Sequence, residues 1–294
     1  MSARTSAERP STVLGRQLGD ELRRLREAAG LSTTDAADVL DCTKGKVSRM
    51  ENGKVLVRSP DVTALLNAYG VHEPKSHRKL TNLARAANHR RQHGWWNRYG
   101  PVLADTYRDY VTLEAIAESL RTFQAQLVPG LLQTEKYVRA VTVASHAWRS
   151  ADEIDQFVSV RMTRQKRLTD SPPLRLRAVL SEAVLLQQVG GARVMREQLA
   201  ALADASELSN VTVQVLPFSH GAHASMFGPY LILGFRQETA TDVVLADNPT
   251  GAVWLEREPE VRRYRELFDA ARTGALSCVE SRSLIHRRAK EHER

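Results

Sequence analysis

Residues 25–54 read LREAAGLSTTDAADVLDCTKGKVSRMENGK, and this stretch decides the fold of the first part of the chain. Gly30 predicts the end of one helix, because glycine is the usual residue just past a helix C-terminus. Ser32 and Asp35 have the spacing of a capping box, in which each side chain satisfies a backbone amide at a helix start. They predict a second helix that runs through Leu40, with Ala36, Ala37, Val39 and Leu40 on its packing side.

The third helix of this stretch is predicted to run from Thr43, its expected N-cap, to about Glu51, with Asn52-Gly53 closing it. Helices are also predicted on both sides. The helix before the stretch shows an apolar stripe at spacings of three and four: Leu14, Leu18, Leu22, Leu25 and Ala29. The helix after it is predicted to begin with Ser59 as N-cap and Pro60 at the first helical position, and Gly70 ends it.

Four short helices, of which the second and third form a helix-turn-helix, are typical of a DNA-binding module. The motifs also resemble a known family. The Gly-Leu-Ser that opens the second helix, the small Ala36-Ala37 pair and the run Val-Ser-Arg-Met-Glu-Asn-Gly that ends at Gly53 resemble the XRE-type, lambda-repressor-like helix-turn-helix. We therefore expect the N-terminal part to be an all-α helix-turn-helix bundle.

The third helix carries the residues that we expect to read base sequence. Val47 and Met50 are predicted to face inward, which leaves Lys44, Ser48 and Arg49 pointing outward. In a helix-turn-helix the N-terminus of this helix lies in the major groove, where lysine and arginine suit the O6 and N7 atoms of guanine. A guanine is therefore expected in the recognised half-site.

The resemblance implies further DNA contacts outside that face. Thr33 and Asn52 match positions that touch phosphates in the family, and Arg58 matches a position that reaches the backbone beside the minor groove. For Lys46 and Lys54, a phosphate contact and a solvated surface lysine are equally compatible with the sequence.

The resemblance also implies a structural ion pair, buried between Arg26 and Glu51, that joins the first and third helices. One position departs from the family pattern. Gly45 stands where the family often has a base-reading side chain, so direct readout here depends on its neighbours, and the bare backbone can come close to the DNA.

The positive charge of the chain is concentrated in one segment. The 294 residues carry a formal net charge of +8, which favours a polyanionic partner. Residues 74–98 carry seven lysines and arginines and no acid, whereas residues 99–294 carry 24 of each sign. A solvated basic helix and a nucleic-acid contact are both compatible with this segment. It is predicted to form a fifth helix that ends at Gly94, with Leu80, Leu83, Ala84 and Ala87 inward.

The remaining residues predict a mixed α+β domain with a small sheet of four or five strands. Helices are expected at 105–122, with Tyr110, Leu113, Ala117 and Leu120 inward, and at 135–145, 151–169, 191–205, 259–272 and 278–290, with an extended connection at 123–134. Strands are expected at 174–180, 211–216, 230–235, 242–246 and 252–255. We thus expect three regions: a helix-turn-helix domain at 1–73, a basic helix and linker at 74–98, and an α+β regulatory or partner-binding domain at 99–294.

This second part carries a resemblance of its own. The strings GWWNRYG, NVTVQVLPFSHGAH and FGPYLILGF, together with several others in the same order, resemble the antitoxin-like (WhiJ-like) C-terminal domain of actinobacterial XRE-type regulators. The resemblance implies control by a small partner protein that is encoded nearby. Three apolar segments are candidates for packing or for partner docking: Trp95-Trp96, 127–132 and 259–272.

Signals for catalysis or metal binding are sparse. His220 and His223 lie in a loop without an acidic neighbour, Cys278 lacks a nearby histidine, and Gly190-Gly191 fits a turn better than an anion site. Walker A, Rossmann and G-x-S-x-G patterns are absent from the sequence. We therefore expect no catalytic residues, no metal and no cofactor.

Together these features predict a sequence-specific DNA-binding transcriptional regulator that binds a palindromic operator of double-stranded DNA as a homodimer. The alternative is a small-molecule-sensing or enzyme-like domain fused to a helix-turn-helix. Two cysteines and the lack of an apolar N-terminal segment or membrane span predict a cytoplasmic protein, nucleoid-associated when bound to DNA.

Overall fold

The computed structural model describes residues 12–100, 102–145, 150–236, 240–248 and 251–292. The chain divides into two compact units. The first reaches to Arg98 and also includes Tyr107–Thr112 and Phe235–Thr241, and the second holds the rest. The first unit is helical and the second contains the sheet, so the predicted fold class, a helical helix-turn-helix bundle followed by an α+β domain, is confirmed. The predicted domain boundaries stay a prediction.

The helical unit is built on five α-helices. They are α1 (Val13–Ala28), α2 (Thr33–Val39), α3 (Lys44–Glu51), α4 (Ser59–Ala68) and α5 (Pro74–His93). Their apolar faces meet in one core. Its members with at most 2% exposure include Val13, Leu14, Leu18, Leu22, Ala36, Ala37, Val47, Met50, Val62, Leu65, Leu66, Leu80, Leu83 and Ala84. Each buried leucine of this set contributes about 1.5–3 kcal/mol to the stability of the unit.

Most of the predicted helix ends are confirmed by the cap geometry. The Ser32 and Asp35 capping box is present, and the Thr43 hydroxyl accepts from the Lys46 amide. Gly30, Gly53 and Gly70 all have positive φ angles of 66–72°, as expected just past a helix end.

Two local predictions were wrong. Val39 was expected on the packing side of α2 but is 42% exposed, because α2 turns only its two alanines into the core. The N-cap of α4 is Arg58 rather than Ser59, and Ser59 takes the first helical position with Pro60 behind it. Proline is tolerated there since the first amides of a helix have no intrahelical partner.

Helix α5 matches its prediction closely. It begins at Pro74 and ends at His93, and among residues 74–88, whose side chains the structure describes, the buried ones are the four that were predicted, Leu80, Leu83, Ala84 and Ala87. It packs against α1 and α4. The basic helix is therefore an integral part of the helical bundle.

The second unit contains a six-stranded sheet and most of the remaining helices. The strands are β1 (Ser119–Gln124), β2 (Arg175–Ser181), β3 (Val211–Leu216), β4 (Tyr230–Gly234), β5 (Val243–Asn248) and β6 (Gly251–Leu255). The helices in chain order are α6 (Asp105–Ile116), α7 (Glu135–Ala144), α8 (Ala151–Arg164), α9 (Ala183–Leu186), α10 (Ala192–Ala205), α11 (Glu258–Gly274) and α12 (Cys278–Glu291).

The sheet has the order β3-β2-β1-β4-β5-β6 and mixes two kinds of pairing. Strands β1, β2 and β3 run parallel, with Leu120 opposite Leu176 and Ala178 opposite Val213. Strands β4, β5 and β6 continue from β1 as an antiparallel meander. Helices fill the two parallel crossovers, because parallel strands cannot be joined by a tight turn.

One face of this sheet is covered by α11. Phe123, Tyr230 and Ile232 pack there with Val261 and Phe268 of the helix, and all five are buried. The predicted partner-docking segment at 259–272 therefore uses its apolar face for packing. The same holds for 127–132, in which Val128, Leu131 and Leu132 are buried.

The largest difference between the prediction and the structure concerns β1. A helix was predicted for 105–122, but α6 ends at Ile116 and residues 119–124 form the central strand. Leu113, Ala117 and Leu120 are buried as predicted, so the helical spacing matched by coincidence. The correct structure depends on pairing with β2 and β4, both far along the chain. The sheet consequently has six strands rather than four or five.

Candidate nucleic-acid interface

Helix α3 presents one buried and one exposed side. Val47, Met50 and Glu51 are buried in the helical unit. Lys44, Gly45, Ser48 and Arg49 are exposed. The predicted division between an inner and an outer face of this helix is therefore confirmed, although the roles of the outer residues stay predictions.

The side chain of Arg49 lies back along α3, toward its N-terminus. Its Nη1 atom would be 3.5 Å from a Cβ placed on Gly45, one turn earlier. Side chains on a helix lean toward its N-terminus, which brings residue i over residue i−4. The guanidinium thus occupies the surface that Gly45 leaves bare, at the end of the helix that enters the major groove in this motif.

Hydrogen bonds from α1 hold the C-terminal end of α3 in place. Arg23 donates from its Nη2 atom to the Glu51 carbonyl at 3.2 Å and to Asn52 Oδ1 at 2.8 Å. Asn52 in turn donates to the Ser48 carbonyl at 2.7 Å. Asn52, expected to touch phosphate, is thus already engaged in closing α3, and its side chain is held in one orientation.

Two glycines allow this close packing: Gly53, predicted only as the end of α3, and Gly19, which was not predicted to have a role. A Cβ at Gly19 of α1 would overlap the Glu51 carbonyl oxygen, and one at Gly53 would lie 2.6 Å from the Arg16 amide nitrogen. The backbones of α1 and of the end of α3 are in contact here, so α1 fixes both the end and the direction of α3. The signal in the sequence is the pair Gly15 and Gly19, four residues apart beside the apolar stripe of α1.

The other predicted DNA-contact residues lie around α3. Thr33 is half-buried at the first position of α2, beside the capping box, and Lys46 is half-buried on α3. The side chain of Arg58 is 75% exposed and forms a bidentate pair with Asp61 at 2.9 and 3.1 Å. This hydrogen bond raises the pKa of Arg58, and it holds the guanidinium at the start of α4.

The basic segment also lies in the helical unit. Lys75, Arg78 and Arg85 of α5 are exposed. The side chains of Arg90 and Arg91 lie outside the described residues. Among the two tryptophans that follow, Trp96 is buried and Trp95 is half-buried, with their rings edge to face at 5.7 Å between centroids. Burial inside the protein, rather than stacking on nucleic-acid bases, accounts for Trp96.

The histidine loop of the second unit has the geometry of a packed turn. The Ser225 amide donates to His223 Nδ1 at 3.2 Å, and the His223 ring packs at a tilt of 55° against Phe123, with 5.4 Å between ring centroids. Burial, with a smaller effect from His220, lowers the pKa of His223, which favours the neutral ring. No group of three potential metal ligands was found among the residues that the structure describes.

The described helices include none with the length and apolar character needed to cross a membrane. Cys278, the other candidate reactive group, is an exposed residue at the start of α12 that follows the Ser277 cap.

The fold and the exposed face of α3 define a class, the helix-turn-helix proteins that bind DNA as regulators. A family model described as a helix-turn-helix domain matches residues 17–78, which agrees with this class. A second model matches residues 107–287, more than half of the chain, and the chain belongs to its family, described as Domain of unknown function (DUF5753). No curated protein and no solved structure matches the chain.

Proposed function

We propose that this chain is a sequence-specific transcriptional regulator of the XRE type, whose second unit is the antitoxin-like domain of actinobacterial regulators. The observation that carries the proposal is the arrangement of α3. Its exposed residues Lys44, Ser48 and Arg49 have no acid among them, and the helix is fixed to α1 by buried and backbone contacts. A rigid helix that offers cations and a hydroxyl suits base edges in the major groove.

In the proposed complex the N-terminus of α3 lies in the major groove. Arg49 donates two hydrogen bonds to a guanine, and Lys44 and Ser48 contact neighbouring base edges. Thr33, Lys46 and Asn52 contact phosphates around the groove. Arg58 contacts the DNA backbone beside the minor groove. To do so it gives up or shares its ion pair with Asp61, which costs little because ion pairs at an exposed surface contribute little stability.

The proposal includes a homodimer on a palindromic operator. A single helix-turn-helix covers only a few base pairs, and two-fold symmetric pairs of such modules bind half-sites whose centres are about 10 base pairs apart. A regulator of this kind acts in the cytoplasm and is nucleoid-associated when it is bound.

For the second unit we propose control by a small partner protein rather than catalysis. The support is an exposed apolar surface on the connection between β3 and β4, where Phe218, Met226 and Phe227 are 58%, 66% and 100% exposed. Exposed aromatic and methionine side chains are typical of protein-binding surfaces. A partner would change DNA affinity only if it binds the free and DNA-bound regulator unequally.

The proposal is tested by selection of duplexes from a random library with the full-length protein, followed by footprinting. We expect one recovered motif with two-fold symmetry, protected over two half-sites. A protected single half-site would contradict the dimer, and recovery of no motif would contradict sequence-specific binding.

The role of the second unit is tested by pull-down with the wild-type protein and with the Phe227→Ser variant. A stoichiometric protein that is lost with the variant supports partner control. A tightly held metabolite without any protein partner would favour the small-molecule sensor instead.

A further inference from the structure

We propose that α5 forms a second DNA-binding surface, which contacts phosphates that flank the half-site read by α3. This inference rests on the proposed function. The surface is the basic stripe, defined as Lys75, Arg78 and Arg85. It would bind the backbone of double-stranded DNA without regard to sequence.

The basic stripe is a single face of the helix. Its three residues follow one another at intervals of three and seven, which places them on the same side of α5. The buried residues of α5 lie on the opposite side. The stripe is about 15 Å long at 1.5 Å per residue, a length over which one DNA strand places about five successive phosphates at about 3.4 Å of axial rise each.

The charges of the stripe are not balanced within the described part of the chain. Lys75, Arg78 and Arg85 have no ion pair there. Two acids close to α5 are engaged elsewhere, since Glu73, directly before the helix, accepts from the Ser76 hydroxyl at 2.6 Å and Glu21 is paired with Arg24. The hydrogen bond from Arg24 and, to a smaller extent, the charge of Lys79 lower the pKa of Glu21, and Lys79 is therefore left out of the stripe.

Many arginines elsewhere in the described chain have a carboxylate partner. Arg139, Arg164, Arg265 and Arg288 all form ion pairs with carboxylates at 2.6–2.8 Å. Helix α5 contains six basic residues and no acid over its 20 residues. Repulsion between like charges on one helix lowers its stability. A polyanion bound along the stripe relieves that repulsion.

The position of α5 connects the stripe to the reading helix. Asn88 donates from its Nδ2 atom to the Val57 carbonyl at 2.8 Å. Val57 lies in the loop between α3 and α4, directly before Arg58. Arg85 is three residues before Asn88, about 4.5 Å along the helix axis. The C-terminal part of the stripe is therefore attached to the loop that leaves α3, and both belong to the same compact unit.

A duplex is favoured over an acidic protein segment because the cations line one face of the helix without apolar side chains among them. In the described part of α5 no apolar side chain is exposed beside them to anchor a peptide, whereas phosphates need only the charges. The same comparison disfavours a membrane surface, since the described part of α5 offers no exposed apolar residue for insertion.

The test compares full-length wild-type protein with the Arg78→Gln, Arg85→Gln double variant. The control is the Arg262→Gln, Lys290→Gln variant, which removes two exposed charges from the second unit. Two probes are used: the selected operator trimmed to its outermost recognised bases, and the same operator with about 15 base pairs of random sequence on each side. Circular dichroism and thermal melting check that each variant is folded.

We expect the double variant to bind the long probe about tenfold more weakly than wild type near 0.15 M salt, and to bind the trimmed probe equally well. On the long probe, the slope of log affinity against log salt should fall by about 1.8 for each protomer, which loses two phosphate contacts, and thus by about 3.6 for the proposed dimer. The selected motif should be unchanged, and the control variant should behave as wild type.

Equal binding of both probes by wild type and the double variant would overturn the inference but leave the proposed function intact. An equal loss on both probes would also overturn it. A defect of the double variant confined to anionic vesicles, RNA or an acidic peptide would assign the stripe to another partner. Failure of the wild-type protein to select any motif would instead count against the proposed function.

Discussion

Arg26 and Glu51 form a buried bidentate ion pair that fastens the end of α1 to the end of α3. Arg26 donates from Nε to Oε1 at 2.7 Å and from Nη2 to Oε2 at 3.0 Å. Its Nη1 atom donates to the Leu31 carbonyl at 2.8 Å, so the same guanidinium also holds the turn before α2. The hydrogen bond to Glu51 raises the pKa of Arg26. The pair implied by the family resemblance is confirmed.

Replacement of Arg26 by methionine should destabilise the helical unit by about 3–5 kcal/mol, because it leaves the Glu51 carboxylate buried without its main partner. Urea denaturation followed by circular dichroism measures the change. The matched control is Arg24→Met, on the same helix, which removes a pair with Glu21 whose arginine is 62% exposed. That change should cost about 0–1 kcal/mol. Equal costs for the two variants would contradict a special role for the buried pair.

Two glycines should respond oppositely to the same substitution. Gly45→Ala should stabilise α3 by about 1 kcal/mol, because alanine is the better helix former and its Cβ meets Arg49 at an ordinary 3.5 Å. Gly19→Ala should destabilise the protein, since its Cβ would overlap the Glu51 carbonyl oxygen. Thermal melting of both variants checks the signs. A stabilising Gly19→Ala would show that α1 and α3 are not in backbone contact.

Two buried tyrosines should make the protein sensitive to alkali. Burial raises the pKa of Tyr69 and of Tyr230 to about 12. In the unfolded chain a tyrosine has a pKa of about 10. The two protonated tyrosines therefore contribute their full stabilisation of the folded state below that pH, and this stabilisation is lost as the pH rises through the pKa of the folded state. Tyrosinate absorbance recorded during alkaline unfolding measures this effect. Tyr69→Phe and Tyr230→Phe should each flatten the pH dependence, and an unchanged profile in both would contradict it.

Local signals in the sequence sufficed for the helical unit. Helix caps depend only on residues three or four positions away, so the helix ends marked by Ser32, Thr43, Gly30 and Gly53 could be predicted without knowing the rest of the fold. The same applies to Ser277 of α12. The N-cap of α4 was misplaced by one residue, since a serine before a proline fits either position.

The central strand β1 could not be read in the same way. Its burial depends on β2 and β4, which pair with it from more than 50 residues away. Leu120 and Phe123 are separated by three residues and both are buried, a spacing that helices and a strand covered on both faces can share. The backbone contact at Gly19 was missed for a related reason: a close approach leaves no pattern on the partner segment.

The sharpest prediction separates base readout from phosphate contact on α3. Arg49→Ala should weaken binding to the selected operator by about 1–3 kcal/mol and relax the preference at one base position, because a bidentate contact to guanine is lost. Binding to random duplex should change less. Competition assays with operator and random DNA, together with a repeated selection, measure both effects.

Lys46→Ala is the comparison within the same helix. If Lys46 contacts a phosphate, its loss should weaken operator and random DNA alike, and the slope of log affinity against log salt should fall by about 0.9. The selected motif should not change, since phosphates carry no base identity. Arg262→Ala, an exposed charge of the second unit, controls for the loss of one positive charge. If Arg49→Ala also weakens both DNAs equally and leaves the motif intact, the face of α3 that carries Arg49 does not read bases.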